Sequence, residues 1–160
     1  NSFFNNFFYK ILIVNKKIIE ELKKLALKAK KKDEVPVSAI LAKDNKIFFS
    51  AHNTCHKSKN PLKHAEMIVI NNALKKTKKK FLDEFDIYTS LEPCALCASA
   101  ISFCRIKRIF FCAYDKKFGA ISNGVKIFNK KNSMYKPIVF GGIEEKFFSQ
   151  LLKDFFVLKR

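Results

Sequence analysis

Two short motifs in this chain hold residue types that could bind a metal and move protons: His64-Ala65-Glu66 and Pro93-Cys94-Ala95-Leu96-Cys97. A Cys-x-x-Cys turn at the start of a helix can offer two thiolates to one zinc ion. The unpaired N–H groups and the helix dipole there favour thiolate over thiol. With Cys94 and Cys97 as two ligands, His64 from another helix would supply the third. Three protein ligands leave the fourth tetrahedral position open to water, the pattern of a catalytic zinc and not of a closed structural one. Zinc lowers the pKa of its bound water toward ~7 and so supplies hydroxide near neutral pH, which can attack an amidine-like ring carbon. That reaction needs one proton for the ring nitrogen and another for an amine departing as ammonia. Glu66, two residues after His64, can flank the metal pocket from the first turn of its helix and shuttle them.

Each motif alone is weak. Most His-x-Glu pairs are merely solvated, and Cys94 with Cys97 could form a redox couple or half of a structural zinc site. A structural site needs a fourth ligand, for which Cys55, Cys104, Cys112, His52 and His56 are available. Cys104 and Cys112 read better as small buried hydrophobes, and His52, Cys55 and His56 as loop residues. Taken together and in this order, H-x-E then P-C-x-x-C is the general signature of zinc deaminases.

The surrounding elements must position these groups. Ile18, Ile19, Leu22, Leu25, Ala26 and Ala29 recur at helical spacing between Lys16 and Lys30, with lysines on the other face. The helix should stop near Asp33, because Pro36 disfavours helical geometry at Val35. Val37 to Ala42 and Lys46 to Ala51 read as a hairpin about Asp44-Asn45, and the polar stretch His52 to Lys63 as a loop. A helix follows from near His64 into the lysine-rich segment Lys75 to Lys80. Then come a strand at Phe85 to Ser90, a helix at Ala95 to Phe103 and strands at Lys107 to Ala113 and Pro137 to Phe140. A last helix over Glu144 to Leu158 is expected to turn Phe147, Phe148, Leu151, Leu152, Phe155 and Phe156 inward. Strands alternating with helices predict a three-layer α/β domain.

Length and composition bound the rest. A chain of 160 residues suits one domain with a sizeable core. No stretch approaches the ~20 apolar residues of a membrane span, a secretory signal fits poorly, and a cytoplasmic setting is expected. Five cysteines form an odd set, which fits a reducing compartment with a metal pair better than a disulfide framework. The net charge of +18 suggests a polyanionic partner. Yet Lys, Phe, Ile and Asn are abundant together while Arg occurs only at Arg105, Arg108 and Arg160, a bias that AT-rich codon usage also produces. Residues 1–15 are read as a Phe-rich extension, Phe3, Phe4, Phe7, Phe8, Ile11 and Leu12 having amphipathic spacing, and residues 16–160 as the catalytic domain.

From about Leu22 to Lys159 the chain resembles the cytidine and deoxycytidylate deaminase superfamily, and within it the bacterial tRNA-specific adenosine deaminases. The matching stretches are Glu34 to Val37, Asn53, Asn60-Pro61, His64 to Glu66, Ser90 to Cys94, Cys97-Ala98 and Arg105-Ile106. Asp115 to Ala120 and Asp154-Phe155-Phe156 then tilt the match toward the tRNA enzymes. Departures are Asn60, Leu62 and Lys63 where the family commonly reads Asp-Pro-Thr-Ala, Ser38 for Gly, and Lys159 for Arg.

The resemblance implies a three-layer α/β/α cytidine-deaminase-like fold with a central mixed five-stranded sheet. It implies one zinc ion per subunit, a homodimer, and conversion of adenosine to inosine at the wobble position of a tRNA anticodon stem-loop. Asn53 would hydrogen-bond the flipped base, and the backbones at Ala65 and Cys94, with Pro93 beside them, would help hold base and water. Asp115, Phe155 and Phe156 would lie near the anticodon nucleotides. Two other readings share parts of the pattern: a zinc deaminase of a free guanine- or cytosine-type base or nucleoside, and a zinc-stabilised RNA-binding protein without catalysis.

Overall fold

Alternate residues along the central strands feed two different hydrophobic cores, and that alternation sets the architecture of the computed structural model, which describes residues 14–129, 131 and 135–159. Strands β1 (Ser38–Lys43), β2 (Lys46–His52), β3 (Asp86–Leu91), β4 (Arg108–Ala113) and β5 (Ile138–Phe140) form one sheet of order β2-β1-β3-β4-β5. β1 runs antiparallel to β2 and β3, whereas β3, β4 and β5 are parallel, so the sheet is mixed. Ala39, Leu41, Ile87, Ile109 and Phe111 face one side, against α3 (Ala65–Thr77) and α4 (Ala95–Phe103). Ile40, Ala42, Tyr88, Phe110 and Cys112 face the other, against α1 (Lys16–Lys31) and α5 (Glu145–Val157). The three-layer α/β/α arrangement with a five-stranded mixed sheet is therefore as expected.

Local chemistry explains the boundaries. Asn15 caps α1, its side-chain oxygen accepting from the Lys17 N–H at 2.9 Å. Asp44 and Asn45 both have positive φ (50° and 60°), the backbone a tight two-residue hairpin turn requires. Helix α3 ends at Thr77 instead of continuing to Lys80. Lys78 takes the left-handed conformation and returns its N–H to the Leu74 carbonyl, while the Thr77 hydroxyl donates to the Ala73 carbonyl.

Two expectations are corrected. The polar stretch His52–Lys63 is not wholly loop: it contains a one-turn helix, α2 (Cys55–Ser58). The buried Glu34 carboxylate builds that turn by accepting from the backbone N–H groups of His56 (3.0 Å) and Lys57 (2.7 Å). Phe156 does not face inward: it is 51% exposed, one helical step from the buried Phe155. The Phe3–Leu12 segment lies outside the described residues. Among the described residues no helix is long and apolar enough to cross a membrane.

Candidate active site

The N-termini of α3 and α4 carry the two motifs to one point. His64 and Cys94 occupy the cap positions of these helices in extended backbone geometry, and neither side chain is spent on capping. His64 Nδ1 lies 3.6 Å from Cys94 Sγ and 3.5 Å from Cys97 Sγ. A tetrahedral zinc with Zn–S of ~2.3 Å and Zn–N of ~2.1 Å sets its N and S ligands about 3.6 Å apart. The spacing of His64 from both cysteine sulfurs therefore matches that of zinc ligands. Among the described residues they form the one cluster of three such ligands, all within 4.8 Å of one another. The alternative fourth ligands lie elsewhere: Cys104 and Cys112 are buried in the cores on opposite faces of the sheet. His52 ends β2, and Cys55 and His56 sit in α2, where His56 Nδ1 meets the Asp33 carbonyl.

Electrostatics follow from that placement. Hydrogen bonds from the Cys97 thiol, then from His64, hold the Cys94 thiol down at about 4. Cys97, donating to Cys94 and itself buried, is pushed up. The bond to Cys94 raises His64. Glu66 occupies the second position of α3, and burial pushes its carboxyl up to about 7. Its Oε2 is buried with no hydrogen-bond partner in the protein. A buried carboxylate oxygen without a partner is costly unless something else meets it, and here it stands beside the three ligands.

Asn53 is also buried, and its Oδ1 accepts the first N–H of α3, that of Ala65, at 2.8 Å. This bond does the capping that His64 does not, and it fixes the amide so that the NH2 group points away from the helix. The Ala65 N–H is thereby engaged within the protein. Pro93 is buried, and its carbonyl accepts the Ala120 N–H at 3.0 Å.

Asp115 begins a tight turn in which its Oδ1 accepts the N–H groups of Lys117 (2.9 Å) and Phe118 (3.0 Å). Phe155 is only 4% exposed and packs edge-on to Phe156 with ring centroids 5.4 Å apart. Of the two, Phe156 is the one open to a partner.

Glu92 lies in the Ser90–Cys94 stretch but in neither motif. Its Oε1 accepts the N–H groups of Ile121, Ser122 and Asn123, and its Oε2 accepts the Asp115 N–H and the Asn123 amide. Burial by itself would raise this carboxyl, but these donors outweigh it and hold it below its ordinary value. The segment 115–123 is thus tied to the residue two before Cys94. Gly119 pairs with Cys94 in this arrangement. A Cβ at Gly119 would fall 2.6 Å from Glu92 Cδ, so the close approach requires glycine.

With this geometry in place, similarity to known proteins sharpens the class and then the family. The family model for MafB19-like deaminases matches residues 13–160, which makes the class a deaminase. The tRNA-specific adenosine deaminase of Rickettsia felis (strain ATCC VR-1525 / URRWXCal2) is 42% identical over 127 residues, 78% of this chain and 88% of its own. That of Rickettsia typhi (strain ATCC VR-144 / Wilmington) is 41% identical over 140 residues, 86% and 95% respectively. A structure from studies of A-to-I editing by tRNA:A34 deaminases at the wobble position of transfer RNA superposes with a TM-score of 0.83 at 33% identity. It covers 86% of this chain and 100% of its own. The guanine deaminase of Bacillus subtilis matches less fully, with a TM-score of 0.58 at 31% identity over 63% of this chain and 66% of its own. The chain belongs to the family of tRNA-specific adenosine deaminases.

Proposed function

We propose that this chain replaces the C6 amino group of adenosine by oxygen at the wobble position of a tRNA anticodon, giving inosine and ammonia. The observation that carries the chemistry is the buried Glu66 carboxylate, with an unpartnered Oε2, beside the His64, Cys94 and Cys97 ligand atoms, which lie within 4.8 Å of one another. A purely structural zinc site has no use for that carboxylate. The names of relatives that align over most of both chains support the substrate.

In this reading His64, Cys94 and Cys97 hold one zinc ion per subunit, which when bound supplies the Lewis acidity that makes water nucleophilic near neutral pH. Glu66 takes a proton from the attacking water and gives it to ring N1 as the C6–O bond forms. It then carries the proton of the new C6 hydroxyl to the amino group as the C6–N bond breaks. One water is consumed and one ammonia leaves. Asn53, its Oδ1 committed to Ala65, donates through its amide NH2 to an acceptor on the base. Pro93 and the backbone about Ala65 and Cys94 form the wall of the base pocket. Asp115 and the exposed Phe156 serve the flanking nucleotides, with Phe155 supporting Phe156 from behind. The base must leave the anticodon stack to reach the metal.

The same reading includes a cytoplasmic homodimer. Leu96 and Phe103 share one side of α4 and are 39% and 62% exposed, an apolar strip suited to a second copy of the chain. Sedimentation at a single-subunit mass would contradict that element alone. The substrate is tested by incubating the zinc-loaded protein with an anticodon stem-loop carrying wobble adenosine, and in parallel with free guanine, cytosine, cytidine and adenosine. Inosine in the stem-loop with little ammonia from the free compounds is expected. Ammonia from guanine with none from the stem-loop would assign the free-base chemistry instead.

A further inference from the structure

A large apolar ring stands open to solvent at the rim of the site: Phe118 is 63% exposed. We propose that Phe118 is a stacking residue for the nucleotide next to the reacting adenosine, a role that rests on the tRNA reading above. Its location follows from the chain. Gly119, the next residue, pairs with Cys94. One Cα step of ~3.8 Å added to a bridge spacing of ~5 Å puts the Phe118 Cα within about 10 Å of the Cys94 Cα. A nucleotide linked to a base held over the metal ligands lies at that range.

The ring is held before any substrate arrives. Asp115 fixes the Phe118 N–H, and Glu92 fixes the loop on both sides of it. An aromatic ring on a pre-ordered turn contributes contact area with little loss of conformational entropy on binding. The charges around it select the partner. Lys117 Nζ stands 4.9 Å from the Phe118 ring centroid, over one face, leaving the other for a base. Lys116 and Lys117, on the same turn as the ring, are both exposed. Cations around an aromatic ring suit single-stranded nucleic acid, with phosphates on the lysines and a base on the ring. A subunit contact would favour the opposite, because lysine is depleted in the centres of protein interfaces.

The test uses the full zinc-loaded chain and an anticodon stem-loop with wobble adenosine, together with versions lacking the base at one flanking position. Phe118→Ala should raise KM for the intact stem-loop roughly tenfold, with most of the loss in KM and not in kcat. Phe118→Tyr should restore it. Removing the base that stacks on Phe118 should bring wild type and Phe118→Ala together, a coupling that a merely structural role would not show. A fluorescent 2-aminopurine at that flanking position should be quenched on binding wild type and much less on binding Phe118→Ala, a readout that needs no turnover. Equal KM and equal quenching for the two proteins would overturn the proposal. So would conversion of a dimer to monomers by Phe118→Ala, which would make the ring a subunit contact. Failure of the wild type to make inosine, with quenching intact, would strike the deamination reading and leave the stacking role standing.

Discussion

Glu66 combines three properties seldom found together: it is buried, it has an oxygen with no protein partner, and its carboxyl is pushed up to about 7. A group that must both take and give protons works best with a pKa near the working pH, and burial supplies that tuning. The same shift has a consequence for stability in metal-free protein. The folded value lies above the ordinary 4.5, so the folded state keeps a proton that the unfolded chain has released between pH 4.5 and about 7. The group's contribution is full below about 4.5 and is lost as pH rises through about 7. Glu66→Gln cannot ionise there. Urea denaturation of chelator-treated protein at pH 4.5 and pH 8 should show wild type losing stability relative to Glu66→Gln, by on the order of 3 kcal/mol. Parallel pH dependences for the two proteins would mean that Glu66 titrates as an ordinary carboxylate.

The elements meet at two helix starts and one loop. α3 brings His64 and Glu66, α4 brings Cys94 and Cys97, and Glu92 ties down the segment after β4. Glu92→Gln replaces one acceptor oxygen by a donor facing backbone N–H groups. Equilibrium unfolding should show a loss of about 2–3 kcal/mol. Gly119→Ala should weaken the same loop through its clash with Glu92. Unchanged stability in both variants would mean that the loop is held by something else.

What was legible in the sequence divides along the same lines. α4 was readable from Ala95 to Phe103 because its residues form a continuous run of small and apolar side chains. The clustering of His64, Cys94 and Cys97 was readable because their spacing within each motif is short and their chemistry rare. α2 was not, because a one-turn helix has no apolar period and depends on Glu34, which is distant in sequence. Glu92 was hidden for a related reason: its partners lie 23 to 31 positions away, in a segment with no period of its own. The inward placement of Phe156 failed because two adjacent aromatics on a helix point about 100° apart, and only Phe155 reaches the core.

On the scale of the whole molecule, the charge of +18 is not gathered at one place. Lys75, Lys76, Lys78, Lys79 and Lys80 lie at the C-terminal end of α3, about 20 Å of helix away from His64. Lysines there are placed to complement the helix dipole. Those near the site, Lys57, Lys59, Lys63, Lys116 and Lys117, are fewer and stand on the two segments that flank the ligands. Composition alone could not separate the two groups, whereas the fold does. The sheet with its two helical layers brings both motifs together at the N-termini of α3 and α4. In the proposed reaction His64, Cys94 and Cys97 bind the metal while Glu66 moves the protons. Its most direct test measures zinc content and inosine formation together, on a tRNA with wobble adenosine, for wild type and Glu66→Ala. Wild type should hold one zinc per subunit and make inosine, while Glu66→Ala should hold the same zinc and lose at least about 10²-fold in rate. Turnover by Glu66→Ala near the wild-type rate, with zinc bound, would contradict the account.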